Sequence, residues 1–286
     1  MRHINPISGK DSFATALVMR EIAPDLPMEY VFHDVGWELP EVYEWIEKAQ
    51  EFLGMEIHRC GDDLTEIVKE EGLLPSAMRR FCTRLAKIKP MKDFVGTQPT
   101  TLYFGLRADE PSRIQGMRET KFEFHRFPLQ ELGYRFEDVW KRVAGVGMLP
   151  PQFTWAWMLE RVAELGGKRP DGMPDWEWLA LFAGRSRPNC DRCFFQRQYE
   201  WIWLHETHPE RFYAAVEMED STQHASPFKL IGKDKPLIGI IDRADEIKER
   251  RAREIVRILN ERNTPRLFPI EDNPFGSTSC GLFCGK

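Results

Sequence analysis

Ser8, Gly9, Lys10, Asp11 and Ser12 follow the apolar run His3 to Ile7 and precede Phe13, Ala16, Leu17, Met19 and Ile22, which recur near helical spacing. A strand that runs through a small-residue turn into a helix offers backbone N–H groups and the positive end of the helix dipole to an anion. Ser8 and Gly9 let the backbone approach a phosphate, Lys10 adds a point charge, and Ser12 can bond a phosphate oxygen or cap the helix. The glycine spacing of a Walker A loop is missing. The second chemical element is sulfur. Cys190 and Cys193 have the Cys-x-x-Cys spacing that lets two sulfurs reach one metal centre, and Cys82 lies among Arg79, Arg80, Arg84, Lys87 and Lys89, where positive charge favours the thiolate. Cys280 and Cys284 form a further pair near the end of the chain, whereas Cys60, closing an apolar run, reads as a core residue.

The elements that position these residues follow from periodicity. Strands are expected at His3 to Ile7, Met28 to Phe32, Met55 to Cys60 and Thr101 to Leu106, with a helix from Pro40 that turns Val42, Trp45, Ile46, Ala49 and Leu53 to one side. Leu74 to Phe94 is expected to be helical and to carry Cys82. Alternating strands and amphipathic helices predict an α/β fold: a mostly parallel, Rossmann-like sheet with helices on both faces. After Phe122 to Leu129 aromatic helical segments take over, so residues 1–128 are expected to form the α/β core and 129–286 a helical, cysteine-bearing region. The glycines and prolines of 165–175 mark a surface loop, and the charged stretch Asp242 to Arg262 a solvated helix with Ile247, Ile255, Ile258 and Leu259 as its apolar stripe.

Composition narrows the classes. Forty Lys and Arg against forty-five Asp and Glu give a formal charge of −5, which excludes a uniformly basic nucleic-acid coat but leaves room for a local anion site built from Lys10, Arg80, Arg84, Arg107 and Arg113. Six cysteines in 286 residues are too few for a disulfide-dense secreted scaffold. Met1 to Pro6 shows no signal-peptide run and no stretch approaches the roughly 18 apolar residues of a membrane span, so a cytoplasmic setting without membrane contact is expected.

Ser8-Gly9-Lys10-Asp11-Ser12 resembles the PP-loop, Ser-Gly-Gly-Lys-Asp-Ser, of the adenine nucleotide alpha-hydrolase superfamily, which includes ATP pyrophosphatases and phosphoadenosine phosphosulfate (PAPS) reductases. Ile7 and Ser8 stand where Ser and the first Gly usually lie. Phe32-His33-Asp34-Val35-Gly36-Trp37-Glu38-Leu39-Pro40-Glu41 is similar to the second-strand motif Asp-Thr-Gly-x-Glu-x-Pro-Glu, and Gly105 to Arg113 to Gly-x-Arg-x-x-Glu-Ser-x-Arg. Phe127-Pro128-Leu129 and Asp138-Val139-Trp140 resemble two later landmarks. The resemblance implies an adenine nucleotide, ATP or PAPS/adenylylsulfate, bound by Ser8, Gly9, Lys10, Asp11, Ser12, Asp34, Gly36, Glu38, Arg107 and Arg113, with Lys10 and Asp11 in the catalytic machinery and Mg2+ alongside. Asp34 would orient magnesium or ribose; Arg107 and Arg113 would clamp phosphate or sulfate oxygens.

Cys82 with Cys190 and Cys193 resembles the 4Fe-4S ligands of adenylylsulfate reductases, and more closely the Cys-Thr-Arg-x-Leu-Lys-Ile-Lys-Pro form of PAPS-reductase-like proteins of phage and of DNA phosphorothioation systems. Phe81 replaces the first cysteine of the reductases' Cys-Cys pair, so a fourth ligand, Cys284 or Cys280, would come from the tail. Zinc and free thiols are the other readings of the same cysteines. Cys280 resembles the reductases' nucleophile, although Ser279 and Phe283 replace its flanking Glu and His. These likenesses imply sulfur transfer and lean toward ATP-dependent thiolation or nucleic-acid modification with pyrophosphate release. A PAPS or adenylylsulfate reductase working through Cys280 is the alternative, and a non-catalytic nucleotide-binding subunit of a defence or modification complex a third. The partners implied are a thioredoxin-like reductant or a sulfur donor, a nucleic-acid acceptor or modification-complex partner, and further copies of the chain. His208, before Pro209, reads as a turn residue, and Tyr199, Trp201 and Trp203 as packing.

Overall fold

The computed structural model describes residues 1–263 except 116, 186–189, 223–229 and 232–234. The expected positions Cys280 and Cys284 lie outside the described residues.

Strands β1 (Arg2–Pro6), β2 (Met28–His33), β3 (Ile57–Cys60), β4 (Thr100–Tyr103) and β5 (Glu123–Arg126) form one wholly parallel sheet in the order β3-β2-β1-β4-β5. The chain builds outward from β1 through β2 to β3, then returns to the other side of β1. The break in direction lies between β1 and β4, the place where an open parallel sheet leaves a crevice beyond its carboxyl ends. Asn5 ties this junction together: its buried Nδ2 donates to the Tyr103 carbonyl at 3.2 Å and to that of Pro6 at 3.3 Å.

Both sheet faces are covered, as strand alternation requires. Tyr30, Phe32 and Tyr103 join one apolar cluster with α1 (Lys10–Ile22) and α2 (Pro40–Leu53). Ile4, Val31 and Leu102 point the other way, onto Met91 and Val95. The buried side of α2 is Val42, Trp45, Ile46, Ala49 and Leu53, as the spacing predicts, and Gly54, at φ 64°, ends it in a left-handed cap. The short α3 (Leu64–Glu71) follows, with Asp63 capping it by accepting the Thr65 N–H at 2.6 Å.

The long helix expected over Leu74 to Phe94 is different. Residues 74–80 are not helical; after them come α4 (Phe81–Thr83), a π turn (Arg84–Ile88) and α5 (Lys89–Val95). Pro90 has no N–H for the carbonyl of Ala86, which instead accepts the Asp62 N–H at 3.2 Å, and the Lys89 N–H reaches back to Arg84. The π turn thus adjoins the helical turn that bears Cys82. The strand expected at Thr101 to Leu106 stops at Tyr103, ahead of Gly105.

Helices α6 (Pro128–Glu131), α7 (Phe136–Gly145), α8 (Ala156–Glu164), α9 (Asp175–Leu181), α10 (Gln198–Thr207), α11 (Pro209–Ser221) and α12 (Ala244–Asn263) follow. The 165–174 stretch is irregular, as expected, and α12 buries Ile247, Ile255 and Leu259 while Ile258 is half-buried. One apolar cluster runs from Ile7 and Phe13 to Trp201 and Leu259, continuous across Pro128. No helix among the described residues is long and apolar enough to cross a membrane.

Candidate functional site

The loop after β1 lies at the crevice. Ile7 continues the strand, its N–H bonded to Val31 O at 2.7 Å, and its side chain is fully buried in the core. The substitution of Ile for a polar residue there leaves the loop's polar groups, from Ser8 onward, in place. The Ser12 hydroxyl accepts the N–H groups of Ser8 at 2.9 Å and Gly9 at 3.2 Å and donates to Gly9 O at 2.9 Å, holding the turn closed. The first intrahelical bond joins Phe13 N–H to Gly9 O at 3.0 Å, so the amides of Lys10, Asp11 and Ser12 open α1 without intrahelical partners.

Gly105 lets β4 approach this turn. A Cβ there would lie 2.6 Å from the Asp11 carbonyl carbon and the Ser12 nitrogen, closer than any side chain tolerates. Two residues on, buried Arg107 reaches back to donate to Asp11 Oδ1 at 2.9 Å, while Asp11 Oδ2 receives the Lys10 ammonium at 2.6 Å. Arg107 also contacts Asp109 at 2.9 Å and Glu110 at 3.4 Å, and Glu110 holds Arg113 at 3.0 Å. Burial would raise the Asp11 carboxyl, but Lys10 and Arg107 outweigh it and hold it below its usual range. The Lys10 ammonium is pushed down, by burial first and by Arg107.

The expected five-residue anion site is therefore corrected. Lys10, Arg107 and Arg113 share one network in which the carboxylates of Asp11, Asp109 and Glu110 match their charges. Arg80 lies at the cysteine pocket and Arg84 is exposed. The physical reason is burial: an unpaired guanidinium as enclosed as Arg107 costs several kcal/mol, and acids from its own loop neutralise it. The network carries no surplus of positive charge, since Lys10 too is paired with Asp11, and the α1 amides are the loop's remaining anion-facing groups.

Asp34, at the end of β2, accepts the Gly36 N–H at 3.1 Å and the Tyr43 hydroxyl at 2.7 Å through Oδ1, and meets exposed Arg59 at 3.4 Å through Oδ2. Gly36 takes φ 76°, the left-handed region, which turns the chain toward Trp37 and Glu38. Gly61 passes so close to Asp34 that a Cβ would lie 2.0 Å from the Asp34 carbonyl oxygen. Glu38 does not join the phosphate loop. It is buried, and Cys190 Sγ donates to its Oε1 at 3.6 Å. Burial raises its carboxyl, with Asp191 adding and Lys87 and Arg185 opposing.

The cysteines gather where Glu38 leads. Cys82, Cys190 and Cys193 line one cavity with Trp37, Phe194 and Phe195 and with the cations Arg80, Lys87 and Arg192. The Cys-x-x-Cys segment is a tight turn, Cys193 N–H to Cys190 O at 3.1 Å, pinned by the Asp191 N–H to Trp37 O at 2.6 Å and by Arg185 Nη2 to Cys190 O at 3.1 Å. Fully buried Asp191 meets Arg211 at 3.2 Å and Arg192 at 3.5 Å, and burial pushes its carboxyl up to about 6 against those arginines and Arg185. Cys60 packs half-buried against the second apolar cluster, with its thiol pushed up to about 11 by burial and Asp62. His208 ends α10 and begins α11, its Nε2 3.2 Å from Glu41, while Tyr199, Trp201 and Trp203 are buried in the core.

Three soft thiol donors line one cavity with cations that would offset thiolate charge, the donor chemistry of an iron–sulfur or zinc site, but their arrangement is not that of a formed metal site. Among the described residues no three His, Cys, Asp or Glu side chains converge closely enough to enclose a metal ion. For magnesium, Asp34 Oδ2 meets, among the described residues, the long Arg59 contact, whereas both oxygens of Asp11 are engaged.

The fold and the loop at its switch point define an α/β domain of adenine nucleotide alpha-hydrolase type. Residues 3–143, just under half of the chain, match the family model described as the phosphoadenosine phosphosulfate reductase domain, which makes this part of the chain a domain of the PAPS reductase family. An uncharacterized protein of Methanocaldococcus jannaschii is 32% identical over 123 residues, 41% of this chain. The chain spans about a quarter, 24%, of the length of that curated relative. The crystal structure of PAPS reductase from Candida auris, a phosphate complex, is similar to 62% of this chain and 82% of its own, at 14% identity and a TM-score of 0.40.

Proposed function

We propose that this protein binds an adenine nucleotide at the Ser8–Ser12 loop and uses it in sulfur transfer, by ATP-dependent thiolation of an acceptor such as a nucleic acid. The observation that carries the reading is the Asp34–Glu38 segment. Its first residue lies at the end of β2, beside the β1 loop, and its last accepts a hydrogen bond from Cys190 at 3.6 Å, which supports a shared role for the phosphate loop and the thiols.

In the reaction an acceptor oxygen attacks the α-phosphate and pyrophosphate leaves; a sulfur nucleophile then displaces the adenylylated oxygen and AMP departs. The α1 amides and Lys10 would take the charge accumulating on the departing phosphates, Asp11 would hold Lys10 in place, and Asp34 would position magnesium or ribose. Cys82, Cys190 and Cys193 would hold a 4Fe-4S cluster or zinc together with Cys280 or Cys284. When bound, that group would hold or relay sulfur.

The family to which residues 3–143 belong favours a second reading, reduction of a sulfonucleotide. There a cysteine thiolate, Cys280 by resemblance, attacks the sulfur of PAPS or adenylylsulfate and releases the nucleotide; a thioredoxin-like dithiol then reduces the thiosulfonate, freeing sulfite and forming its own disulfide.

One anaerobic assay separates the readings. Purified protein is supplied with ATP, an acceptor nucleic acid and a sulfur donor, or with PAPS and a dithiol. Pyrophosphate released only with acceptor present, and lost in Lys10→Ala, is expected for thiolation. Sulfite from PAPS that disappears in Cys280→Ser would replace it with the reductase, and nucleotide binding without either product would make the chain a silent subunit.

A further inference from the structure

We propose that Phe136 is a positioning residue for the phosphate loop, its ring holding the Lys10 ammonium and the Arg107 guanidinium in place around Asp11. The proposal deepens the nucleotide-binding reading by naming what sets the loop's cations. Three observations converge on it. Lys10 Nζ lies 4.9 Å and Arg107 Cζ 5.2 Å from the centroid of the Phe136 ring, both within the range at which a cation is drawn to an aromatic face. The site is enclosed, the Lys10 side chain being 16% and that of Arg107 4% exposed, so the attraction is little screened by water. The ring itself is fixed: Phe136 opens α7, where Asp138 accepts the Arg135 N–H at 2.8 Å, and Arg142 pairs with Glu21 to bind α7 to α1.

A second aromatic layer backs the first. Trp140, one turn along α7, lies 5.9 Å from Lys10 and 6.2 Å from Phe136, and stacks on Trp176 of α9 at 5.2 Å and 10°. Trp176 also meets the edge of Phe136 at 5.8 Å. Lys10 is already in a 2.6 Å ion pair with Asp11, and the ring supplies a second attraction in a different direction, so that Nζ is held between carboxylate and ring.

The test replaces Phe136 in turn by phenylalanines bearing one, two and three ring fluorines, which keep shape and apolarity while draining the ring face of negative potential. Phe136→Tyr and Phe136→Leu complete the series. Two readouts are taken: the titration of a 13C-methylated Lys10 in nucleotide-free protein, and ATP affinity by calorimetry. The groups facing Lys10 are Asp11, Arg107 and Glu110, unchanged throughout the series. The expected result is a stepwise fall in the Lys10 titration midpoint with each fluorine and its retention in Phe136→Tyr. ATP affinity should drop about threefold to tenfold by the trifluoro and leucine variants. A Lys10 midpoint that stays constant from phenylalanine through trifluorophenylalanine overturns the proposal, whatever happens to binding. Should the unaltered protein bind no ATP, the nucleotide reading fails, and the Lys10 titration still decides the role of Phe136.

Discussion

His33 closes β2 with its ring 3% exposed and its Nε2 buried without a hydrogen-bond partner among the described residues. Burial, reinforced by Lys87, pushes its pKa from 6.5 down to about 3. The folded protein thus holds a neutral imidazole where the unfolded chain takes up a proton below pH 6.5, so stability is fully present above that pH and is lost as pH falls toward 3. Chemical denaturation at pH 7, 5.5 and 4.5 should show the wild-type protein losing up to about 1.4 kcal/mol per pH unit below 6 through this group, and His33→Gln losing less. Equal slopes would show that the ring titrates freely. At this scale the sequence was legible where a polar side chain sits at a strand end, as at Lys10, Asp34 and Arg107, because chemistry explains such residues more readily than packing does. Phe136 and Trp176 were not legible: aromatic residues at helical spacing read as core, and nothing in local pattern says that one will face a lysine across the sheet junction. The sequence motif groups Glu38 with the nucleotide contacts, whereas the chain, turning through left-handed Gly36, brings it to Cys190.

Elements placed the loop more sharply than residue types could. The parallel sheet and its helices follow from alternating apolar runs, but β5 is four residues long with Glu123 and His125 buried as a 2.7 Å pair, a composition that hides a strand. The break of the Cys82 helix follows from Pro90, visible in the sequence, together with the distant Asp62 N–H, which is not. The join that sets the loop is Gly105 against the first turn of α1. Gly105→Ala must push the strand end or the helix start away, a backbone displacement that costs about 1–3 kcal/mol. Its expected signature is a lowered thermal midpoint together with ATP affinity reduced at least as far as in Lys10→Ala, which loses about tenfold to a hundredfold by removing one charged contact. If Gly105→Ala binds ATP like the wild-type protein, the loop's position does not depend on this contact.

Across the whole molecule, one apolar cluster joins the sheet to the helices on either side of the Cys190–Cys193 turn, so the two parts expected on either side of Pro128 pack against each other without a solvent layer. The segment that crosses this join, Asp34 to Glu38, is short and held at both ends: by Gly36 N–H and Tyr43 at Asp34, and by Cys190 at Glu38, with Trp37 O holding Asp191. If the proposed nucleotide binds at Asp34, a shift of Asp34 would be transmitted along this segment to the Cys190 turn. A coupling between sites is reciprocal by thermodynamic necessity. Saturating ATP should change the alkylation rate of Cys190 or Cys193, followed by mass spectrometry, by about twofold or more. Alkylated protein should in turn bind ATP with an altered affinity. Glu38→Gln weakens the link without touching the phosphate loop, so it should shrink the nucleotide's effect on alkylation while leaving ATP affinity within about twofold. Alkylation rates indifferent to ATP in the wild-type protein would mean that the two pockets, adjacent in the fold, work independently.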